Sequence, residues 1–426
     1  MELSESEKKL LKPIIYTGRR FYIFLAALFA LLIWGFYAWY TQLRYGLVIT
    51  GLRDIGVGPP WGLYVSNFIF FIGMAHGGIA ISAAVRIAGL RTYKPITRIA
   101  EFLTPISLLM AALSILFDLG RPDRIFHLMI YYLERLGQSP LVWDWTVITI
   151  YFTLSVIYIF LLIRKDVAFC VQHFPRWRWL YKLLLVGYIA EEKEKVEKLA
   201  WWMALVIPTL LVLLSGGVIA WLLGLMIARP GWYGAFMGPY FVVAAVASAL
   251  AAVIVVSAIF RRVFKWDEFI RPEIFRGLGN FLAALMFFYL YFMFAEHITM
   301  QYPGPQPTPE LSVSQAILTG EFAWIFWSMT IIFFVVPTLS LFTQVVLKKF
   351  SLTVTTMSAI AILIGLWIKR VLIVVPPLTR SLLPYPIGAY TPTWVEWSLV
   401  IATLALATLL YTLVIKVIPA IEVKQD

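Results

Sequence analysis

The sequence predicts an all-α polytopic membrane protein with about ten transmembrane helices, and three observations support this prediction. Of the 426 residues, 61% are apolar or aromatic and 14% are charged, against about 45–50% and about 25% in soluble domains. Mean hydropathy is +0.85. Apolar runs of about 20 residues, the length that spans a bilayer, recur along the whole chain. This composition excludes a disordered chain, a disulfide-rich secreted scaffold and an ordinary cytosolic enzyme.

Ten apolar runs account for the predicted helices, and each is much longer than a membrane β-strand of about 10 residues. The first run follows five basic residues and is too long for a signal-peptide core, so it is interpreted as an uncleaved anchor. Turns such as Gly58-Pro59-Pro60, Arg229-Pro230-Gly231 and Pro303-Gly304-Pro305 separate later runs. The predicted helices comprise residues 20–43, 61–88, 99–118, 142–164, 199–228, 235–260, 276–301, 321–347, 352–376 and 394–415.

The longest loop between runs, 165–198, separates four early helices from the later ones and favours a layout of two bundles. It contains Arg176-Trp177-Arg178-Trp179 and a charge run, Glu191-Glu192-Lys193-Glu194-Lys195. Both patterns are more typical of helices at the membrane surface than of a docking surface.

Lysine and arginine are distributed unevenly between the two sets of loops. With the N-terminus inside, the inner segments hold 26 of these residues and the outer segments hold seven. Positive charge accumulates in cytoplasmic loops, so both termini are predicted to be cytoplasmic. Membrane topology and anionic lipid therefore explain the net charge of +12, and a nucleic-acid partner is not expected.

The residues that bind redox metals are scarce. One cysteine, Cys170, cannot form an intramolecular disulfide, a Cys-ligated iron–sulfur cluster or a Cys-rich zinc site. The chain has four histidines, of which only His76 and His297 are candidates for a spanning segment. Two haems, each with two histidine ligands, are excluded. We therefore expect no haem, metal or iron–sulfur cluster in this chain.

Ionisable side chains inside predicted helices are costly in lipid and must face protein or water. Most of them lie in the outer third of the predicted helices, where they are expected to line one pocket. The pocket candidates are Asn67, Asp118, Arg121, Asp144, Tyr151, Glu296 and Arg370.

His76 lies near mid-depth on the second helix, and Glu101 lies near the inner end of the third. Because carboxyl and imidazole groups bind and release protons near neutral pH, these two residues predict a proton path from the inner face.

Simpler structural interpretations compete with these roles. Asp118 and Arg121 can form a helix-end pair, and Asp144 can be a charge favoured by a helix dipole. Glu296 can form a salt bridge with Arg370. The remaining histidines, His127, His173 and His297, are expected to be solvated. The residues alone leave a transporter, a channel, a lipid-modifying enzyme and a redox anchor open.

Several motifs resemble the NrfD/PsrC-like family of quinone-interacting membrane subunits. The likeness is to its longer, ten-helix branch, which includes the DsrP, HybB and alternative complex III membrane subunits. The motifs begin with Trp61 to Phe68 and Ile72 to Gly78 and run in order to residue 397. The later ones are Ala100-Glu101, Asp118 to Pro122, Ser139 to Asp144, Phe294 to Glu296, Gly365 to Arg370 with Ile373 to Pro376, and Tyr390 to Trp397.

The resemblance implies two four-helix bundles, helices two to five and six to nine, flanked by the first and last helices. The corresponding segments are 1–60, with the N-terminus and first helix; 61–230, the first bundle with the quinone site; 231–380, the second bundle; and 381–426, with the last helix.

The resemblance also implies a subunit of a respiratory oxidoreductase in the cell membrane. It would exchange electrons between quinone or quinol of menaquinone type and an iron–sulfur, ferredoxin-like subunit on the outer face. A catalytic subunit of molybdopterin or hydrogenase type would complete the complex. A proton or ion transporter without redox chemistry and a purely structural anchor are the alternatives.

The quinone-binding residues expected from the resemblance and from depth are Asn67, His76, Asp118, Arg121, Asp144, Tyr151 and Arg370; those expected on the proton path are Glu101, His76 and Glu296. Asn67 matches an asparagine of the short polysulfide-reductase type. That type has a histidine three residues later, where this chain has Phe70, whereas His76 matches a histidine of the alternative complex III type.

Overall fold

A computed structural model of the chain describes residues 3–52, 59–189, 193–210, 220–226, 229–234, 236–302, 308–380 and 387–423. Within these ranges all regular secondary structure is helical. The predicted turn Pro303-Gly304-Pro305, Gly58 of the first turn and Glu191-Glu192 of the charge run lie outside the described residues.

Ten helical segments match the ten predicted runs, with bounds that differ by a few residues at most ends. They are α1 (Arg19–Tyr45), α2 (Leu63–Ile87), α3 (Lys94–Asp118), α4 (Pro140–His173), α5 (Lys193–Leu210, continued by Ala220–Gly224), α6 (Met237–Phe264), α7 (Pro272–Gln301), α8 (Ala323–Val346), α9 (Leu352–Thr379) and α10 (Trp394–Val417).

Among the described residues, nine of these helices are long and apolar enough to span a membrane. The tenth, α5, is described in two pieces with 211–219 between them. The chain is therefore a polytopic, all-α membrane protein of roughly ten helices, as predicted from composition and run length.

The helices pack as two groups of four. In the first, α2 contacts α3 and α5, and α4 contacts the same two helices. In the second, α6 contacts α7 and α9, and α8 contacts the same two. The groups meet where α2 packs on α6 and α9, while α1 packs on α10 beside α3.

Helix α2 is the centre of the molecule, because it is buried along almost its whole length and contacts helices of both groups. Glycine permits this packing. A Cβ atom on Gly77 would lie 2.4 Å from the Cβ of Ala249 and 2.7 Å from the carbonyl oxygen of Ala245 on α6. A larger side chain at this position would push α2 and α6 apart.

The chain termini lie together at one end of the helices, here called the basic end. There Lys9 pairs with Glu268 at 3.0 Å, and Trp266 donates a hydrogen bond to the carbonyl of Lys9. The hydroxyl of Tyr181, in the short helix Arg178–Leu184 of the long loop, donates to the carbonyl of Val417.

The other end of the helices is here called the distal end. Glu396 lies there, fully buried at the start of α10. It accepts hydrogen bonds from the backbone N–H of Gly51 at 2.7 Å and from the hydroxyl of Tyr390 at 2.5 Å. The Tyr390 hydroxyl in turn accepts from the N–H of Leu63, so one carboxylate ties the α1–α2 connection to the start of α10.

Candidate functional site

One face of α4 carries a stripe of buried polar residues that extends across the molecule. Its members follow each other at intervals of three to eight residues, which keeps them on one side of the helix. From first to last the stripe covers about 33 Å at a rise of ~1.5 Å per residue, close to the thickness of a bilayer core. The members are Asp144, Tyr151, Ser155, Tyr158 and Asp166.

Midway along this stripe, Tyr151 contacts His76 of α2. The two rings are 4.5 Å apart between centroids in an edge-to-face arrangement, and the Tyr151 hydroxyl donates to the carbonyl of His76 at 3.3 Å. Both residues are fully buried. Neither ring nitrogen of His76 has a well-aligned hydrogen-bond partner among the described residues, and the backbone of Ile72, one turn earlier on α2, interacts with the imidazole. An unpaired buried imidazole is costly, so these nitrogens are available to a bound molecule or to water.

At the basic end of the stripe, Asp166 and Tyr158 adjoin a buried charged cluster around Glu101. The Glu101 carboxylate accepts a hydrogen bond of 2.5 Å from Ser82 and lies 3.4 Å from Arg98. Arg98 also pairs with Asp166 at 3.0 Å.

This cluster holds one arginine and two carboxylates, and further hydrogen-bonding groups surround it. The Tyr158 hydroxyl is 3.5 Å from that of Ser82. The backbone N–H of Val423, in the C-terminal segment, donates to Asp166 at 3.0 Å.

Asn67 lies on a different face of α2 and joins four helices. Its amide nitrogen donates to Ser114 of α3 and to Thr403 of α10, each at 3.0 Å. Its amide oxygen accepts from the indole of Trp367 on α9 at 3.2 Å. With both ends of the amide engaged, Asn67 has a clear structural role in the unliganded chain.

Three of the predicted pocket residues lie at the distal end in different surroundings. Asp118 and Asp144 each have a buried carboxylate oxygen without a hydrogen-bond partner among the described residues. Arg121 is exposed and forms two hydrogen bonds with Asp123, at 2.9 and 3.0 Å. These bonds lower the pKa of the Asp123 carboxyl, which keeps the pair ionised. The expected pair of Asp118 with Arg121 is not formed.

Arg121 belongs instead to an open groove of about 840 Å³ between the end of α3 and the start of α4. The short helices Phe126–Ile130 and Tyr132–Arg135 form its wall, together with the exposed His127.

The expected salt bridge of Glu296 with Arg370 is wrong. Glu296 pairs with Lys369 at 2.9 Å, and both side chains are largely shielded. Arg370 lies with its guanidinium carbon 4.8 Å from the ring centre of Phe241. Consecutive residues of a helix point about 100° apart, so Lys369 and Arg370 face different neighbours.

His297 was expected to be solvated, and this is also wrong. It is 7% exposed, its Nδ1 is 3.3 Å from the Ser314 hydroxyl, and its ring packs edge-on against Phe326. His127 is exposed, as predicted, and His173 is half-buried against Phe169.

The structure thus joins some predicted residues and separates others. His76 and Tyr151 are in contact, and Asp144 lies on the same face of α4. Asn67 occupies another face of α2, Arg370 lies on α9, and Glu101 belongs to the cluster at the basic end.

Sequence reasoning missed several members of this site. Helical spacing from Tyr151 or Glu101 could have revealed Arg98, Ser155, Tyr158 and Asp166. Ser82 lies on α2 and is found only through its contact with Glu101.

No group of three or more His, Cys, Asp or Glu side chains that could hold a metal ion occurs in the described ranges. A quinone requires something different, namely hydrogen-bond partners for its carbonyl oxygens beside an apolar wall. The nitrogens of His76 match the first part of that requirement, and apolar residues near His76 and Tyr151 in the sequence, Phe70, Phe71, Ile72 and Val147, are buried.

Comparison with known proteins gives a match over most of the chain to one family model. The model for polysulphide reductase NrfD matches residues 55–380. The chain belongs to the NrfD family.

Several relatives of the chain are named as subunits of reductases or oxidoreductases, and two of the following three are named as membrane subunits. Over 277 residues the chain is 31% identical to a putative dimethyl sulfoxide reductase membrane subunit of Halobacterium salinarum, covering 64% of this chain and 59% of that protein. It is 25% identical to a selenate reductase subunit of Mesobacillus selenatarsenatis, over 91% of each chain. It is 26% identical to an Hdr-like menaquinol oxidoreductase integral membrane subunit of Archaeoglobus fulgidus, over 92% of this chain and 91% of that protein.

Proposed function

We propose that this chain is the quinone-binding membrane subunit of a respiratory oxidoreductase complex, which exchanges electrons between the quinone pool and an iron–sulfur partner. The observation that carries the proposal is the buried contact of His76 with Tyr151, in which neither imidazole nitrogen has a well-aligned hydrogen-bond partner among the described residues. Family membership and the similarity to a menaquinol oxidoreductase membrane subunit support a quinone of menaquinone type as the substrate.

The His76 imidazole can serve a quinone in two ways. A protonated ring nitrogen donates a hydrogen bond to a quinone carbonyl, and a neutral one accepts a proton from a quinol hydroxyl. Reduction of a quinone requires two electrons and two protons, and oxidation of a quinol releases them. Tyr151 holds the imidazole through the ring contact and through its bond to the His76 carbonyl. Asp144, two turns toward the distal end, is a proton acceptor on the same face of α4.

The α4 stripe offers a route for these protons toward the basic end. Hydroxyls of Ser155 and Tyr158 follow Tyr151, and Ser82 links Tyr158 to Glu101. Hydroxyl groups both donate and accept, so intervening waters would complete a chain of hydrogen bonds from His76 to Glu101. Glu296, which is paired with Lys369, lies in the second group of helices and is not part of this route.

We place the basic end on the cytoplasmic side of the cell membrane, because 26 lysines and arginines lie in the segments of that end against seven in the distal segments. The distal end, nearer to Asp144, would then receive the ferredoxin-like iron–sulfur subunit and the catalytic subunit behind it. Asn67, Asp118 and Arg121 border this distal region and remain candidates for quinone entry or partner contact.

Quinone turnover by the purified native complex tests the proposal. We expect His76→Leu to reduce kcat/KM for a menaquinol analogue by about 100-fold or more, because general acid–base groups typically contribute 10²–10⁴-fold. Tyr151→Phe keeps the ring contact and removes the hydroxyl, so we expect a smaller loss. Gln172→Leu, at an exposed residue near the basic end of α4, is the control and should behave like wild type.

Assembly of each variant with its partner subunits is measured in the same preparation. Assembled His76→Leu complexes with normal quinone turnover would contradict the proposed site. A wild-type preparation without an iron–sulfur partner, without bound quinone and with ion transport would favour a transporter instead.

A further inference from the structure

Arg370 is a buried cation without a counter-charge. Its side chain is 2% exposed, and it makes no hydrogen bond or ion pair with any residue in the described ranges. Three other buried cations of the described ranges all have partners: Lys369 pairs with Glu296, Arg98 pairs with two carboxylates, and Arg164 donates to the carbonyl of Val186. Arg370 is therefore different from its own neighbour in the chain.

Undescribed residues of the membrane-spanning runs do not supply the missing charge. The positions concerned are 211–219, 227–228 and 235, and none of them is aspartate or glutamate. The acidic residues outside the described ranges also lie outside the apolar runs of the sequence, at Glu2, Asp54, Glu191, Glu192 and Asp426. In the part of the chain that the structure describes, no carboxylate pairs with Arg370, and the undescribed stretches of the apolar runs contain none.

The groups around Arg370 are hydrogen-bond donors. Tyr240 of α6 and Tyr289 of α7 stack with their ring centres 4.7 Å apart, and both lie within electrostatic range of the guanidinium. Both side chains are buried, and within the described ranges their hydroxyls have no hydrogen-bond partner outside the pair that they form with each other. Phe241 covers one face of the guanidinium.

The space beside Arg370 is small. A Cβ atom placed on Gly73 of α2 would lie 3.8 Å from a terminal nitrogen of Arg370 and 3.5 Å from the Cα of Ala245. This close approach of α2 to α6 leaves no room for a bulky ligand along Gly73. Gly73 and Gly77 point toward α6, whereas His76 contacts α4, so the surroundings of Arg370 differ from those of the proposed quinone contact.

The chemistry of these groups identifies their partner. An isolated guanidinium in a low-dielectric interior is strongly destabilising, and a single cation–π contact offsets only part of that cost. Water would satisfy hydrogen bonds but would leave the charge uncompensated. A monovalent anion satisfies the charge and accepts hydrogen bonds from all three side chains.

We propose that Arg370, Tyr240 and Tyr289 bind a small monovalent anion of the chloride class between α6, α7 and α9. The anion neutralises Arg370 and fixes the two hydroxyls, and it holds the three helices together. This site is independent of quinone chemistry.

Thermal unfolding of the purified native complex in chloride and in gluconate, at constant ionic strength, tests the proposal. In wild type we expect chloride to raise Tm in a saturable manner, because a ligand that binds only the folded state stabilises it. Arg370→Met should abolish this chloride dependence. Tyr289→Phe should weaken chloride affinity by about tenfold, the loss of one hydrogen bond to a charged group. Arg380→Gln removes a cation that has a carboxylate partner, Glu321, and is the control, with a wild-type response.

A second measurement keeps the proposal testable if Arg370→Met does not fold. The double variant Tyr240→Phe with Tyr289→Phe retains the charge, and we expect it to bind radiolabelled chloride more weakly than wild type.

Three results would overturn the proposal. The first is a Tm that depends on ionic strength but not on the identity of the anion. The second is tyrosinate absorbance at neutral pH that disappears in Tyr289→Phe, which would make a tyrosine the counter-charge. The third is competition between chloride and a quinone analogue, which would assign these residues to the quinone site.

Discussion

Lys369 and Arg370 are adjacent on α9 but differ in their charge partners. Lys369 pairs with Glu296, whereas Arg370 has no carboxylate partner among the described residues. Both residues lie within the predicted ninth helix, and the sequence analysis singled out Arg370 as an ionisable residue inside it. Their direction around the helix axis does not follow from a single hydrophobic run, because an all-round apolar helix has no marked polar face. The sequence therefore identified the charges but assigned Glu296 to the wrong partner, and it contained no sign that His297 is shielded by Ser314 and Phe326.

Because Lys369 and Glu296 form a shielded ion pair, we expect the loss of one partner to lower the stability of the complex. Removing one partner of a buried pair leaves the other charge uncompensated and costs about 3–5 kcal/mol. We expect Lys369→Met to lower the stability of the complex by about this amount, and the double variant with Glu296→Gln to restore most of it. Thermal or denaturant unfolding of the four members of this cycle measures the coupling.

Lys9→Gln is the matched control, since it breaks a pair whose side chains are more than half exposed. Pairs of this kind contribute about 1 kcal/mol or less. A Lys369→Met variant that is no less stable than Lys9→Gln would contradict the prediction.

At the scale of the elements, the ten helices could be predicted because each is an apolar run of the length that a bilayer requires. The polar stripe of α4 could be predicted only in part. Asp144 and Tyr151 were recognised as individual residues, whereas Tyr158 and Asp166 acquire a role only beside Ser82 and Arg98, which come from α2 and α3. The residue pattern of a single helix does not predict which residues of a distant helix it will contact.

The stripe predicts that proton transfer and quinone binding can be separated. Glu101→Gln keeps the shape of the side chain and its position beside Ser82 but removes the exchangeable carboxylate proton. We expect coupled proton movement in proteoliposomes to fall strongly, while KM for quinol stays near its wild-type value because His76 and Tyr151 are unchanged. A pH-sensitive dye inside the vesicles measures the movement.

Glu310→Gln is the control for this experiment, because Glu310 lies in the short distal helix Pro309–Leu318, apart from the stripe. Normal proton movement in the Glu101→Gln variant would show that the proposed proton route does not pass through Glu101.

For the whole molecule, the contacts at the two ends agree with the alternation of loops deduced from the sequence. The N-terminal segment, the α6–α7 connection and the C-terminal segment meet at the basic end through Lys9, Trp266 and Tyr181. The α1–α2 connection and the start of α10 meet at the distal end through Glu396. Ten crossings, with α5 counted beside the nine spans found in the described residues, would place both termini on one side. The distribution of lysine and arginine then favours the cytoplasm for that side.

This topology can be tested by labelling single introduced cysteines with a membrane-impermeant maleimide. Cys170, the one cysteine of the sequence, is buried and should not react with a membrane-impermeant maleimide. Ser6→Cys places an exposed thiol at the basic end, and Gly137→Cys places one at the distal end, where a Cβ atom meets nothing within 4 Å. We expect right-side-out vesicles to label Gly137→Cys alone and inside-out vesicles to label Ser6→Cys alone, with wild type unlabelled in both. The reverse pattern would show that the orientation in the membrane is inverted. The distal end, and with it the proposed electron-transfer partner, would then lie on the cytoplasmic side.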